Sequence, residues 1–447
     1  MSDLTETTPF VIDDPAHADS VPPCALPGSP LAGMLAGINA CVHCGFCLQA
    51  CPTYLTLEDE NESPRGRIFL MRSLLEGTVE PGDASVQAHI DRCLGCRACE
   101  TACPSGVPYG HLLEATRATL REVRPTPFVA RMILRVFAQP MLLRIVMFAS
   151  RLLAATPIPT VLSRTDGRLG FAMAMLASAG SPLERAGYST PAGGVRGKVA
   201  VLLGCVMEGL FTDTNRATER VLRVNGYETV DAPGQGCCGA LHAHAGDLET
   251  ARALARRNIA AFEKSGADLI AVNSAGCGAM MKDYQHLLHE DAEWGERAVA
   301  VAARVRDVSE LLVAAGPVPG GPLPLSVTYD APCHLMHAQR VVTQPLAVLA
   351  AIPQLKLTPL RDSEQCCGSA GIYNLIEPAT SDAVLIPKLE CIAESGASYV
   401  ATGNPGCLMQ IGAGLLRSGS SARAIHPVDL LDASYAGMAE PGAPATQ

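Results

Sequence analysis

CVHCGFCLQACP (Cys41 to Pro52) and CLGCRACETACP (Cys93 to Pro104) write one phrase twice: four cysteines at gaps of two, two and three, sealed by proline. A tight backbone loop with this spacing presents three thiolates to one iron–sulfur cubane. The fourth cysteine, on the helix that follows, swings away toward a second cubane. By that rule Cys41, Cys44, Cys47 and Cys103 hold one 4Fe–4S cluster, and Cys93, Cys96, Cys99 and Cys51 hold the other. Thiolates are soft, charged donors suited to iron. Gly45 and Gly95 leave backbone amides free to approach cluster sulfides, which raises the reduction potential. Structural zinc usually takes two separated C-x-x-C knuckles instead. His43, inside the first loop, reads as a supporting or surface residue, since the thiols already complete the set.

Two clusters close together make a wire rather than a staple. No G-x-G-x-x-G opens a predicted helix, so a flavin or nicotinamide must lie elsewhere. The chain has 447 residues with 18 cysteines, 34 basic and 44 acidic side chains, net −10. No basic face offers itself to a phosphate backbone, so nucleic acid is an unfit partner. The N-terminus, MSDLTETTPFVIDDPAHADS, has neither a positive n-region nor an apolar h-region. A cytoplasmic, reducing location follows, where cysteines bind metal or carry redox chemistry rather than form disulfides.

The predicted organisation is α/β overall. Residues 1–30 form a flexible acidic tail, 31–120 a helical two-cluster ferredoxin-like domain, and 121–195 a helical linker. Two duplicated α/β cysteine-rich domains follow at 196–320 and 321–435, then a tail at 436–447. SPRGRIFLMRSLLEG predicts a helix with Ser63 as cap, Pro64 at its first position and Gly77 as stop. In the linker, Arg131, Arg135, Arg144 and Arg151 interrupt an apolar stretch with no uncharged run of the ~20 residues a spanning helix needs. It reads either as core or bridging helices or as an amphipathic surface docking on a partner or a membrane.

The second half repeats. Cys205 recurs as Cys333, the pair Cys237 and Cys238 as Cys366 and Cys367, and Cys277 as Cys407, at offsets of 128 to 130 residues. KVAVLLGC, YETV, ADLIAV, LSVTY and ASYVAT read as strands, so each cysteine set lies beyond strand C-termini, where open parallel sheets bind ligands. TDTNRATERVLRVNG reads as a capped helix. Each set of four thiols resembles a ligand cage for a further iron–sulfur cluster or zinc, with buried thiols alone as the plainer reading. His242, His244, His334 and His337 read as structural neighbours, and Cys24 and Cys391 as bystanders.

This pattern resembles the CCG cysteine-rich family, whose domain pairs occur in heterodisulfide reductase subunits and in subunits of flavin-linked 2-hydroxy-acid and glycerol-3-phosphate dehydrogenases. The full pattern ends in C-x-x-C, where this chain has Met280 and Gln410. That departure speaks against heterodisulfide reduction. CVHCGFC, CPTY, PRGRI, DRCLGCRACETACPSGV, GCCGA, HAQ and CCGSAG most resemble the glycolate oxidase iron–sulfur subunits. The resemblance implies a non-catalytic electron-transfer subunit of an oxidoreductase acting on CH–OH donors. FAD would sit on partner flavoprotein subunits oxidising glycolate to glyoxylate, and electrons would leave toward a membrane quinone from a peripheral position on the inner face. The alternatives are a stand-alone heterodisulfide-reductase-like enzyme and the iron–sulfur subunit of a lactate or glycerol-3-phosphate dehydrogenase.

Overall fold

Ser63, Pro64 and Gly77 bound a helix at Pro64–Glu76. Ser63 Oγ accepts from the Gly66 amide at 2.9 Å, and Gly77 closes the last turn at φ +72°. Gly66 is fixed by space, because a Cβ there would lie 2.0 Å from the Glu60 carbonyl oxygen. The helix buries Ile68, Met71 and Leu74 against Leu31, Ile38, Ile90 and Leu112. Each such side chain contributes roughly 1.5–3 kcal/mol on burial. A computed structural model describes residues 24–124, 126–183 and 195–438 of the chain. Most of the two terminal tails lies outside that range. Within the tail expected over residues 1–30, Ala25 is tied to the fold: its amide donates to the Leu75 carbonyl at 2.7 Å.

One charge runs through this apolar lobe. Arg67 is fully buried. Its Nε donates to the His89 carbonyl at 2.7 Å, and its other nitrogens reach Thr53 Oγ1 at 3.1 Å, the Glu62 carbonyl, and Glu62 Oε2 at 2.6 Å. Arg92 and His89 bring nitrogens within 2.7 Å of Glu62 Oε1. Thr53 and Glu62 follow the first cysteine motif, while His89 and Arg92 precede the second. The network therefore holds the two motifs in register, and every buried member has its partner.

Helices Phe128–Ala138 and Pro140–Ala154 come next, bent by 105° at their junction. Among the described residues no single helix is long and apolar enough to cross a membrane. The core-helix reading fails for the second of the pair, which buries none of its residues. Its Met141, Ile145, Phe148 and Leu152 stand 57–73% exposed in one stripe. Gly167–Ala177 does pack inward, placing Phe171 and Ala174 against Leu408 and Ile411.

Two four-stranded parallel sheets fill the second half. β1 (Lys198–Val201), β2 (Glu228–Val230), β3 (Leu269–Val272) and β4 (Val305–Asp307) lie in the order β2-β1-β3-β4. β5 (Ser326–Tyr329), β6 (Lys356–Thr358), β7 (Tyr399–Ala401) and β8 (Arg423–Ile425) lie in the order β6-β5-β7-β8, the same topology again. β4, β6 and β8 were not among the strands read from the sequence. The helix Thr212–Val224 lacks the expected cap: Thr212 Oγ1 donates backward to the Glu208 carbonyl at 2.7 Å. The two sheets share one core, in which Val199, Val201 and Ala271 meet Val327, Tyr329 and Ile425. Arg220 clamps Asp432 across the seam with contacts of 2.9 and 2.6 Å.

Candidate metal centres

Two adjoining cavities gather the eight cysteines of the repeated phrase. One is lined by Cys41, Cys44, Cys47 and Cys103, with Cys99 also reaching its wall. The other is lined by Cys51, Cys93, Cys96 and Cys99. Each cavity thus draws three thiols from one phrase and the fourth from the other, because the Arg67 network sets the phrases side by side.

The two cavities differ in exposure. Cys44 is exposed, and beside it Val42 and Phe46 stand 68% and 69% exposed. Burial pushes the Cys47 thiol up to about 11. All four cysteines of the second cavity are buried. The Gly95 amide donates to Cys93 Sγ at 3.4 Å, Tyr109 OH donates to the same sulfur at 3.6 Å, and Thr53 Oγ1 lies 3.3 Å from Cys51 Sγ. Burial opposes charge on Arg67, but Cys93, Tyr109, Cys51 and Glu62 around it hold it firmly protonated. One buried cation therefore faces thiolates that burial alone would disfavour. Eight convergent soft donors, with N–H and O–H groups aimed at the sulfurs, fit a pair of iron–sulfur cubanes.

The cysteines of each repeat converge as well. Cys205, Cys237, Cys238 and Cys277 form a chain of thiol contacts beyond the ends of β1, β2 and β3. Hydrogen bonds from Cys205 and Cys238 favour the Cys237 thiolate and lower it well below an ordinary thiol. In the second repeat Cys333 contacts Cys366, which adjoins Cys367, and Cys367 Sγ donates to Cys407 Sγ at 3.3 Å. Asn404 Nδ2 and the Gly368 amide donate to Cys407 and Cys366 at 3.5 and 3.4 Å. The fifth-cysteine positions have other work. Met280 packs in the apolar core. Gln410 accepts from Asn374 at 2.8 Å and donates to Ser381 Oγ at 2.9 Å.

The expected supporting histidines hold lobes together. His242 Nε2 lies 3.0 Å from the Leu134 carbonyl, His244 Nδ1 2.9 Å from Glu114, and His337 Nδ1 2.8 Å from Thr101 Oγ1. His334 Nδ1 lies 3.5 Å from Cys333 Sγ, and burial keeps the ring neutral, down to about 3. Cys24 is exposed, and Cys391 is buried in the apolar core around Ile392 and Val400. Sequence reasoning missed Arg67 and the buried pair of Lys388 Nζ with Asp330 Oδ1 at 3.0 Å. Lys388 also donates to the Asp362 carbonyl at 2.6 Å. A lone lysine on an apolar helix face, in VLIPKLECI, was the available signal.

The two repeat cages face different neighbours. Cys96 of the buried cavity shares one apolar cluster with Leu94, Ala98, Cys366 and Tyr373, with Cys333 packed against it. Burial and then the nearby Cys333 push the Cys96 thiol well above its ordinary value. Cys205 and Cys237 pack instead with Leu254, Phe137 and Leu143 under the exposed helix pair.

These features define an iron–sulfur protein: residues 37–107 match the 4Fe-4S dicluster domain, and residues 199–282 and 327–412 each match the CCG cysteine-rich domain. The chain belongs to the glycolate oxidase iron–sulfur subunit family. It is 36% identical over 412 residues to the probable glycolate oxidase iron-sulfur subunit of Bacillus subtilis, covering 88% of this chain and 92% of that one. Its identity to the glycolate oxidase iron-sulfur subunit of Escherichia coli is 34% over 377 residues, covering 83% and 88%. Lactate utilization protein A of Geobacillus thermodenitrificans is 31% identical over 237 residues, 53% of this chain and 98% of that protein.

Proposed function

We propose that this chain is the electron-transfer subunit of a flavin-dependent 2-hydroxy-acid dehydrogenase, with glycolate oxidised to glyoxylate on partner flavoprotein subunits that carry FAD. The names of the relatives matched over most of their length support glycolate as the acid. Cys41, Cys44, Cys47 and Cys103 would hold one 4Fe–4S cluster and Cys93, Cys96, Cys99 and Cys51 the other. Such clusters, when bound, supply one-electron chemistry suited to re-oxidising a two-electron flavin product. The acid itself would find no site here. The observation that carries the reading is the apolar cluster that Cys96 shares with Cys366, with Cys333 packed against it, which joins the buried cavity to the second repeat.

The residues supply a direction. Val42, Cys44 and Phe46 form the exposed rim of the first cavity, a suitable landing place for a flavoprotein. Arg67 and Tyr109 stabilise thiolate charge in the second, where water is excluded. The helix pair 128–154 supports a peripheral position on the inner membrane face, near a quinone acceptor. The cluster-loaded chain, on reduction, is expected to give two S = 1/2 electron paramagnetic resonance spectra that couple magnetically. A full iron complement with no such coupled signals would overturn the conduit.

A further inference from the structure

The electron acceptor's site is open in the reading above, and one cavity has the chemistry for it. Between the helix pair and the first repeat lies an open cavity of about 560 Å³. Phe137, Leu143 and Met147 form apolar lining, and Phe137 and Leu143 pack directly beside Cys205 and Cys237, which line it too. Arg144, Arg257 and Glu208 line the same space. Arg257 uses its Nε on the Gly234 carbonyl at 2.7 Å, leaving its terminal nitrogens over Gly236. A quinone head group is a flat apolar ring with two carbonyl oxygens that only accept hydrogen bonds, so it needs apolar walls and N–H donors together.

The mouth of the cavity opens where such a molecule would arrive. Phe148 lines the cavity and also stands 63% exposed in the stripe with Met141, Ile145 and Leu152. From Val123 to Thr165 the sequence has six arginines and no Asp or Glu, in a chain of net charge −10. An apolar stripe flanked by arginines suits an anionic lipid surface, which is where a quinone with a long tail resides.

We infer that this cavity binds the quinone head group beside Cys205 and Cys237, with its tail leaving past Phe148 along the exposed stripe. The site deepens the electron-conduit reading and rests on it. Quinone would take two electrons, delivered singly and originating in the reduced flavin of the partner. Two protons from water would convert it to quinol, while the flavin hydroquinone is oxidised and releases two protons.

The test uses the full cluster-loaded chain and a photoactivatable azido-quinone with a short tail. Peptide mapping is expected to place the label on residues 137–148 or 235–237. Leu143→Trp, which fills the cavity, is expected to weaken equilibrium binding of the same quinone about tenfold, roughly 1.4 kcal/mol. Paramagnetic resonance of the variant reports whether it is folded and loaded. Label confined to other segments overturns the site, as does unchanged binding in folded Leu143→Trp. Reduction of a soluble dye by the wild-type chain with its flavoprotein tests the conduit separately. Labelling here without dye reduction would remove the conduit and keep the binding site.

Discussion

The two cysteine-rich repeats share strand order and thiol placement, yet their surroundings have diverged in charge and in exposure. Where the second repeat has Lys388 and Asp330, the offset of 128 to 130 residues places Asn258 and Leu202 in the first. Asn258 braces its cysteine loop with neutral bonds, accepting from the Gly236 amide at 2.8 Å and donating to the Cys237 carbonyl at 2.9 Å. Lys388 does the corresponding work with an ammonium group and needs a buried carboxylate beside it. The second cage is enclosed against the ferredoxin-like lobe, while the first lies under a surface helix pair. Duplication kept the cage; packing gave each copy its own neighbour.

The comparison can be broken in steps. The largest effect is expected from the swapped ligands. Cys103→Ser should remove the same spectroscopic signal as Cys41→Ser, and Cys51→Ser the same signal as Cys93→Ser. If Cys103→Ser instead matches Cys93→Ser, the crossed assignment fails. Next come the braces. Lys388→Ala strands the Asp330 carboxylate in the interior and should lower unfolding stability by about 3–5 kcal/mol in denaturant titration. Asn258→Ala leaves only neutral groups unpaired and should lower it by about 1–3 kcal/mol. Equal losses would erase the proposed difference between the repeats.

A smaller effect is expected at the exposed helix pair. Arg131→Ala with Arg135→Ala should weaken binding to anionic vesicles roughly 30-fold, at about 1 kcal/mol per basic residue, and added salt should narrow the gap. Binding that ignores both charge and salt would leave the helix pair without a lipid role. The smallest effect belongs to His43→Ala. The side chain is exposed and only the backbone carbonyl is engaged, by Arg65 at 3.2 Å, so stability should stay within about 0.5 kcal/mol and both cluster signals should persist.

The cysteine phrases were legible because thiol spacing is a local property: gaps of two and three residues set loop geometry whatever surrounds them. The helix Pro64–Glu76 was legible for the same reason, since cap, proline and glycine act within one turn. The duplication was legible as a repeated offset, and with it the strands that carry cysteines. Arg67 and Lys388 were not, because a buried charge is recognised only by the partners that satisfy it, and those come from distant segments. The sequence left the helix pair suspended between core and surface, since its apolar residues suit either one.

By itself, then, the sequence determined which cysteines are spaced as cluster ligands and that the α/β unit occurs twice. Tertiary structure decided which cage meets the ferredoxin-like lobe and which meets the arginine-flanked helices. Those outcomes depend on packing between segments far apart in the chain, such as Cys96 against Cys366 and Leu143 against Cys205, and no local spacing encodes them.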